Sequence, residues 1–518
     1  MEGTGKNEYS GNTHNRMPTA LFTAEQSQRL DHLAIKSGID GFTLMRRAGT
    51  FAFQQLCRKW PELLAQNAHI QCFCGAGNNG GDGYIVAALA KQQGLTVSVV
   101  YLKDPATLKN EAAQAYAFCC KQNVAIHPFD ETTPITGDIL VDAMLGTGLT
   151  GPVRGNYQTA IHAINGAQRP VLAIDIPSGL SADTGAVLGC AIAATATITF
   201  IGIKQGLLTG AGTEQTGQLF FDDLSIPDTI YQQVTENSTR LGDAAMAKRI
   251  HPRVRNSHKG TYGTAVLMGG NHGMAGAIIM AAEAAMACGT GKVYAATRPE
   301  HLIALLARRP EVMTIPISQD FDQLSSVVQQ ASALVIGPGL GMDKWAKRLL
   351  QFAINQPQPL IMDADALNLL SENPDGLLQR SAPTVVTPHP GEADRLLNVS
   401  TSTIQKNRFH AVTSIAQKFK AITVLKGAGS LISDGQHTWL CSAGNPGMAV
   451  AGMGDILSGV IGSLLAQGFS AIDAACLGVW LHSTAADHLS QQQGEIGMMA
   501  TELIPLIRQQ LNTMSSDY

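Results

Sequence analysis

Short apolar runs recur along the chain, and nearly every one ends in glycine, proline or a polar residue. In the first half they are Ile70-Gln-Cys-Phe-Cys74, residues 97–102, Asp138-Ile-Leu-Val-Asp142, Val171-Leu-Ala-Ile-Asp175, Ile198-Thr-Phe-Ile-Gly-Ile-Lys204 and Leu219-Phe-Phe-Asp222. In the second half they are Ala265-Val-Leu-Met268, Ala333-Leu-Val-Ile336, Leu360-Ile-Met362, Thr384-Val-Val-Thr387 and Ile422-Thr-Val-Leu425. Continuous apolar runs of this length read as strands buried on both faces, as in parallel sheets. Other stretches carry apolar residues three and four apart, the mark of a helix with one buried face; residues 84–93 and 456–465 are examples. The alternation predicts α/β architecture in two doubly wound domains. Periodicity fades between residues 226 and 261, so the boundary is expected near 230–245. The expected organisation is a disordered extension 1–16, a first domain 17–235 and a second domain 236–518.

Composition narrows the class. Of 518 residues, 45% are hydrophobic and 15% charged, enough apolar material for a large core. A net charge of −4 and the lack of a basic stripe point away from nucleic acid. No apolar run is long enough to span a membrane, and residues 1–15 lack the apolar segment of a signal peptide. The nine cysteines show no metal-binding spacing and suit a reducing compartment, so a cytoplasmic location is expected.

Candidate chemistry sits at the strand ends. In open parallel sheets those ends line the ligand crevice. Residues 445–465 run from small residues and glycines into an apolar helical stripe, with Asp455 at the junction. Free N–H groups and the positive end of the helix dipole collect there, so a phosphate can dock. A carboxylate beside it can take a proton from a reacting hydroxyl. The same pattern also fits an aspartate that merely caps the helix. Gly75-Ala-Gly-Asn-Asn-Gly-Gly-Asp-Gly83 follows the first strand and departs from the dinucleotide fingerprint in its two asparagines and aspartate. It reads either as an oxygen-rich ligand loop or as an Asn/Gly turn. Asp142 and Asp175 each close a strand before a Gly-containing loop. His389, between two prolines, fits a loop histidine as well as a catalyst.

These segments carry a family resemblance. Ser257-His-Lys-Gly260, Gly337-Pro-Gly-Leu-Gly341, Asp363-Ala-Asp-Ala-Leu-Asn368, Thr387-Pro-His-Pro-Gly-Glu392, Lys426-Gly-Ala-Gly-Ser430 and residues 445–459 resemble the ribokinase-like ADP/ATP-dependent NAD(P)H-hydrate dehydratases. Residues 75–83, 142–152 and Asp175-Ile-Pro-Ser-Gly179 resemble the Rossmann-like NAD(P)H-hydrate epimerases, three-layer αβα domains. Together they resemble the bifunctional NAD(P)H-hydrate repair enzymes.

The resemblance implies repair of nicotinamide cofactors hydrated at C6. The first domain would interconvert the R and S hydrates, NADHX and NADPHX, and the second would dehydrate the S form with ADP, giving AMP and phosphate. It implies that Asn78, Asn79, Gly80, Gly81, Asp82, Gly146, Thr147, Gly148, Leu149, Thr150, Gly151, Pro152, Tyr157 and Asp175 bind the hydrate in the first domain. Asp175 is expected to act as acid/base. Asn79, Asp142 and Ser178 would bind potassium. In the second domain Lys426, Gly427, Ala428, Gly429, Ser430 and Gly454 would hold ADP, with Mg2+. Ala275, Gly339, Gly341, His389 and Asp455 would face the hydrate, with Asp455 as base. A homo-oligomer with small-molecule partners, no nucleic acid and no membrane is expected. The alternative is a ribokinase-like small-molecule kinase fused to a non-catalytic nucleotide-binding module.

Overall fold

The computed structural model describes residues 17–318 and 320–516, so the expected extension 1–16 lies outside the described residues. The chain divides into two compact units, Ala20–Ser238 and a second running from Thr239 with residues 17–19 attached.

The first unit is built on seven parallel strands. Their spatial order is Ala125–Pro128, Val97–Tyr101, Ile70–Cys74, Ile139–Ala143, Val171–Ile174, Ala196–Phe200 and Gln218–Asp222. Four of the five inner strands are buried throughout, which is why they read as unbroken apolar runs. Thr23 opens the helix Ala24–Lys36 with a capping box to Gln26, and Asp40 caps Gly41–Lys59 by accepting from the Thr43 N–H.

Two local expectations change. The helix expected at 84–93 spans Asn78–Gln92, so the glycine-rich segment forms its first turns rather than a loop. A Cβ on Gly80 would stand 2.1 Å from the Gly75 carbonyl oxygen. The glycines are therefore there for close packing, and that packing overrides their poor helix propensity. The run 198–204 breaks into Ala196–Phe200 and Ile203–Lys204, with Ile201 at φ 61° between them. That break turns Lys204 off the strand and back over its end.

The second unit also has a mainly parallel sheet. Its order is Met313–Pro316, Lys292–Thr297, Thr264–Met268, Ala333–Ile336, Leu360–Met362, Thr384–Val386 and Ile422–Leu425. The antiparallel strands Ser430–Ser433 and Thr438–Cys441 follow. Thr239 and Arg240 pair in parallel with Trp439 and Leu440. The helix Met453–Ala466 has twelve of its fourteen residues buried. It packs against Ala275–Ala287 and Ala471–Gln493 and lies on the sheet. A Cβ on Gly459 would meet the Ala281 carbonyl oxygen at 2.2 Å, and one on Gly462 would meet Val335 Cγ2 at 2.4 Å. Among the described residues no helix is long and apolar enough to cross a membrane.

Candidate functional sites

In the first unit the carboxyl ends of the strands open into a cleft of about 720 Å³. Asn78, Asn79, Asp82, the whole loop Gly146–Pro152, Tyr157 and Asp175 line it. Gly80 and Gly81 do not; they are buried in the helix behind it.

Asp175 holds φ 65°, a left-handed conformation that is strained for a residue with a side chain. It forms an ion pair with the buried Lys204, which also donates to Thr199 Oγ1 (3.1 Å) and the Phe200 carbonyl (3.2 Å). Lys204 came from the sequence only as a lysine at a strand end. Its signal was the one that marked Asp142 and Asp175, a charge closing an apolar run. Asp82 is 9% exposed and has no hydrogen-bond or ion-pair partner among the described residues. Burial pushes its carboxyl well above the usual range; Asp175 and Asp31 add to the push and Lys204 opposes it.

Below the cleft, Asp142 is fully buried. Its carboxylate accepts from the Ser178 N–H (2.7 Å), Ser178 Oγ (2.6 Å) and the Met144 N–H (3.2 Å). Burial pushes it up to about 6 against those hydrogen bonds. Asn79 donates to the Leu145 carbonyl at 3.1 Å, while its own side-chain oxygen is buried without a partner. A buried carboxylate with no ion pair and an unsatisfied amide oxygen form a hard-oxygen set that suits an alkali cation. Neither Asp142 nor Asp175 caps a helix.

The second unit gathers a different cluster. Asp363, at the end of Leu360–Met362, is 1% exposed. It accepts from Lys426 Nζ (2.8 Å), Thr387 Oγ1 (2.8 Å) and Ser458 Oγ (2.7 Å). Burial alone would raise it, but Lys426 and these hydrogen bonds hold it below the usual range. Lys426 lies 3.7 Å from Glu392 as well. His389 caps the helix Pro390–Leu397 by accepting from the Gly391 N–H, and its Nε2 stands 3.3 Å from Glu392. The histidine is therefore tied structurally as well as half open to solvent.

Asp455 is in the first turn of Met453–Ala466, where Gly452, at φ 94°, occupies the cap position. No side chain caps this helix, so its N–H groups stay open to an anion, and Asp455 is not the cap. Burial pushes the Asp455 carboxyl up to about 7, Asp363 and Asp365 adding to the push and Lys426 opposing it. A Cβ on Gly454 would lie 3.3 Å from Asp363 Oδ2 and 3.5 Å from Lys426 Nζ, so Gly454 faces this cluster. The structure thus brings Lys426, Gly454 and Asp455 together.

Two residues without a sequence signal support the site. Arg408 is 1% exposed and donates to the carbonyls of Leu425, Lys426 and Gly429, which fixes the 426–430 turn. His482 is buried, its Nε2 lacks a partner, and burial together with Lys426 pushes it down to about 4, so it is neutral. Gly341 donates its N–H to Asp365 at 2.8 Å, and Gly339 packs against Met274 and Ala277 at the start of the helix Ala275–Ala287. Ala364, at φ 48°, is the strained hinge between Asp363 and Asp365.

Comparison with known proteins covers both units. Residues 265–509 match the family described as NAD(P)H-hydrate dehydratase, and residues 41–206 the family described as YjeF-related protein N-terminus. The chain is 44% identical to a bifunctional NAD(P)H-hydrate repair enzyme of Coxiella burnetii, covering 95% of this chain and 100% of that protein. It is 42% identical to the Escherichia coli enzyme of that description, covering 93% and 91%. Among solved structures, an ADP/ATP-dependent NAD(P)H-hydrate dehydratase from Bacillus subtilis, co-crystallized with ATP/Mg2+, is 27% identical; it covers 52% of this chain and 96% of that one, with TM-score 0.46.

Proposed function

The chain belongs to the family of bifunctional NAD(P)H-hydrate repair enzymes, and from that premise we propose how its two units divide the work. The activities are epimerisation and dehydration of hydrated nicotinamide cofactors, in a Rossmann-like and a ribokinase-like domain respectively. The first unit carries epimerisation and the second dehydration; domain limits of 17–235 and 236–518 are part of this reading.

The observation that carries the dehydratase assignment is the unpaired Asp455 carboxyl beside an uncapped helix start and the Asp363–Lys426 pair. Asp455 takes the proton of the C6 hydroxyl, whose oxygen then bonds to the β-phosphorus of ADP as the bond to AMP breaks. Lys426, the turn 427–430 and the N–H groups at Gly454 hold the phosphates and the charge that develops on them. The resulting C6 phosphate leaves with its bonding pair, the N1 lone pair drives it out, and loss of a C5 proton restores the ring. Ala275, Gly339, Gly341 and His389 shape the wall that the ring meets. Mg2+ bound with ADP would neutralise phosphate charge.

In the first unit Asp175, paired with Lys204, is the acid/base for loss and return of the hydroxyl. Asn79, Asp142 and Ser178 would hold a potassium ion; the unsatisfied Asn79 oxygen fits that role. Such an ion would offset the buried Asp142 charge beneath the Gly146–Pro152 loop.

The test supplies full-length protein with S hydrate and ADP, then with R hydrate and ADP. Return of NADH absorbance with stoichiometric AMP and phosphate from both supports the reading. A stable phosphate ester would show a kinase instead. Asp175→Asn should abolish epimerisation and leave dehydration of the S hydrate intact; retained epimerisation would overturn the Asp175 role.

A further inference from the structure

Reversing the configuration at C6 requires proton delivery and removal at two faces of one ring, and a single carboxyl serves one face. Asp175 is one such group. The cleft holds a second candidate in Asp82, on the first turns of the helix Asn78–Gln92. Every other residue from Gly80 to Ala88 on that helix is buried and none of them lines the cleft. Asp82, 9% exposed, lines the cleft, and no protein group satisfies its carboxyl. Packing gives no reason for a carboxyl there, since an unpaired buried charge destabilises the fold. Lys204, the cation that would serve it, is committed to Asp175, Thr199 and the Phe200 carbonyl.

We propose that Asp82 is the second catalytic carboxyl of the epimerase, donating a proton to the departing C6 hydroxyl while the Asp175–Lys204 pair serves the opposite face. This rests on the epimerase reading of the first unit. The Asp82 O–H passes its proton to the hydroxyl oxygen. The C6–O bond then breaks with its electron pair leaving as water, and the N1 lone pair forms a C6=N1 double bond. Water adds to the other face, the π pair returns to N1, and the new hydroxyl loses its proton to Asp175. In the reverse direction the two carboxyls exchange roles, and exchange with solvent through the cleft restores both. Burial, with Asp175 and Asp31 beside it, raises the Asp82 carboxyl and so favours its protonated form.

The test measures R-to-S interconversion by the full-length protein without ADP, by NMR of the two hydrates, in wild type, Asp82→Asn and Asp82→Glu. Asp82→Asn should lower kcat by roughly a hundredfold or more with little change in KM. Asp82→Glu should recover part of it with a shifted basic limb in the pH–rate profile. ADP-dependent dehydration of S hydrate by the same preparations reports that the chain is folded. A rise in KM with kcat unchanged, or an Asp82→Asn profile that keeps the wild-type basic limb, overturns the proposal. A wild-type protein that does not interconvert the hydrates at all overturns the epimerase reading itself, which is a separate result.

Discussion

The two units solve one electrostatic problem with the same parts differently arranged. Each buries a lysine–aspartate pair at the carboxyl ends of its parallel strands, Lys204 with Asp175 and Lys426 with Asp363. Each leaves a second carboxyl, Asp82 or Asp455, without a pairing cation of its own and pushed up by burial. In the second unit the paired aspartate accepts from Lys426, Thr387 and Ser458, and the unpaired Asp455 is the proposed base. In the first unit the paired aspartate itself lines the cleft, on a strained backbone, together with Asp82, Asp31 and Glu111. Phosphoryl transfer to a hydroxyl needs one base beside an anion cradle; inversion at a carbon needs a proton-handling group on each side.

The strongest break in this comparison is Asp455→Asn. Dehydration should fall by about 10²–10⁴-fold, the usual contribution of a general base, with R-to-S interconversion unchanged. ADP-dependent recovery of NADH absorbance measures it. Loss of both activities would mean that the units are not catalytically separate.

Next, Lys426→Met should destabilise the protein by about 3–5 kcal/mol, because it strands a buried carboxylate. Lys204→Met should cost less, since Asp175 keeps 19% of its side chain open to water against 2% for Asp363. Denaturant titration followed by tryptophan fluorescence ranks the two; the reverse order would show that Asp363 is not the more dependent partner.

A smaller effect separates the two sites by pH. Asp455 must be ionised to act as base, and it sits near 7, so dehydration of S hydrate should fall as pH drops below about 7 and level off above. Asp82 must be protonated to act as acid, so interconversion should fall as pH rises. Parallel pH–rate curves for the two activities would erase the distinction.

The smallest is Ala364→Gly. It removes the left-handed strain between Asp363 and Asp365 and should stabilise by about 1 kcal/mol, read as a rise in Tm.

The strands and the polarity of their ends were legible because buried parallel strands leave unbroken apolar runs. Asp142, Asp175, Asp455 and the Lys426 turn could be found that way. The helix start at Asn78 was hidden because glycine marks both turns and close packing, and only the lack of room for a Cβ on Gly80 against the Gly75 carbonyl tells them apart. The roles of Lys204, Arg408 and His482 were hidden for another reason. Lys204 and Arg408 act through partners distant in sequence, and His482 is set by burial beside Lys426; no spacing rule predicts which strand end a lone basic residue will reach. Asp363 stood in a recognised motif, yet its pairing with Lys426 and Ser458 joins three separate segments of the chain.

The close packing of Gly459 on the Ala281 backbone and of Gly462 on the Val335 side chain carries one last consequence. With no space for even a methyl group against Ala281 or Val335, the helix Met453–Ala466 cannot slide or roll on its neighbours. Asp455 is thereby indexed to the sheet like a tool on a rigid mount.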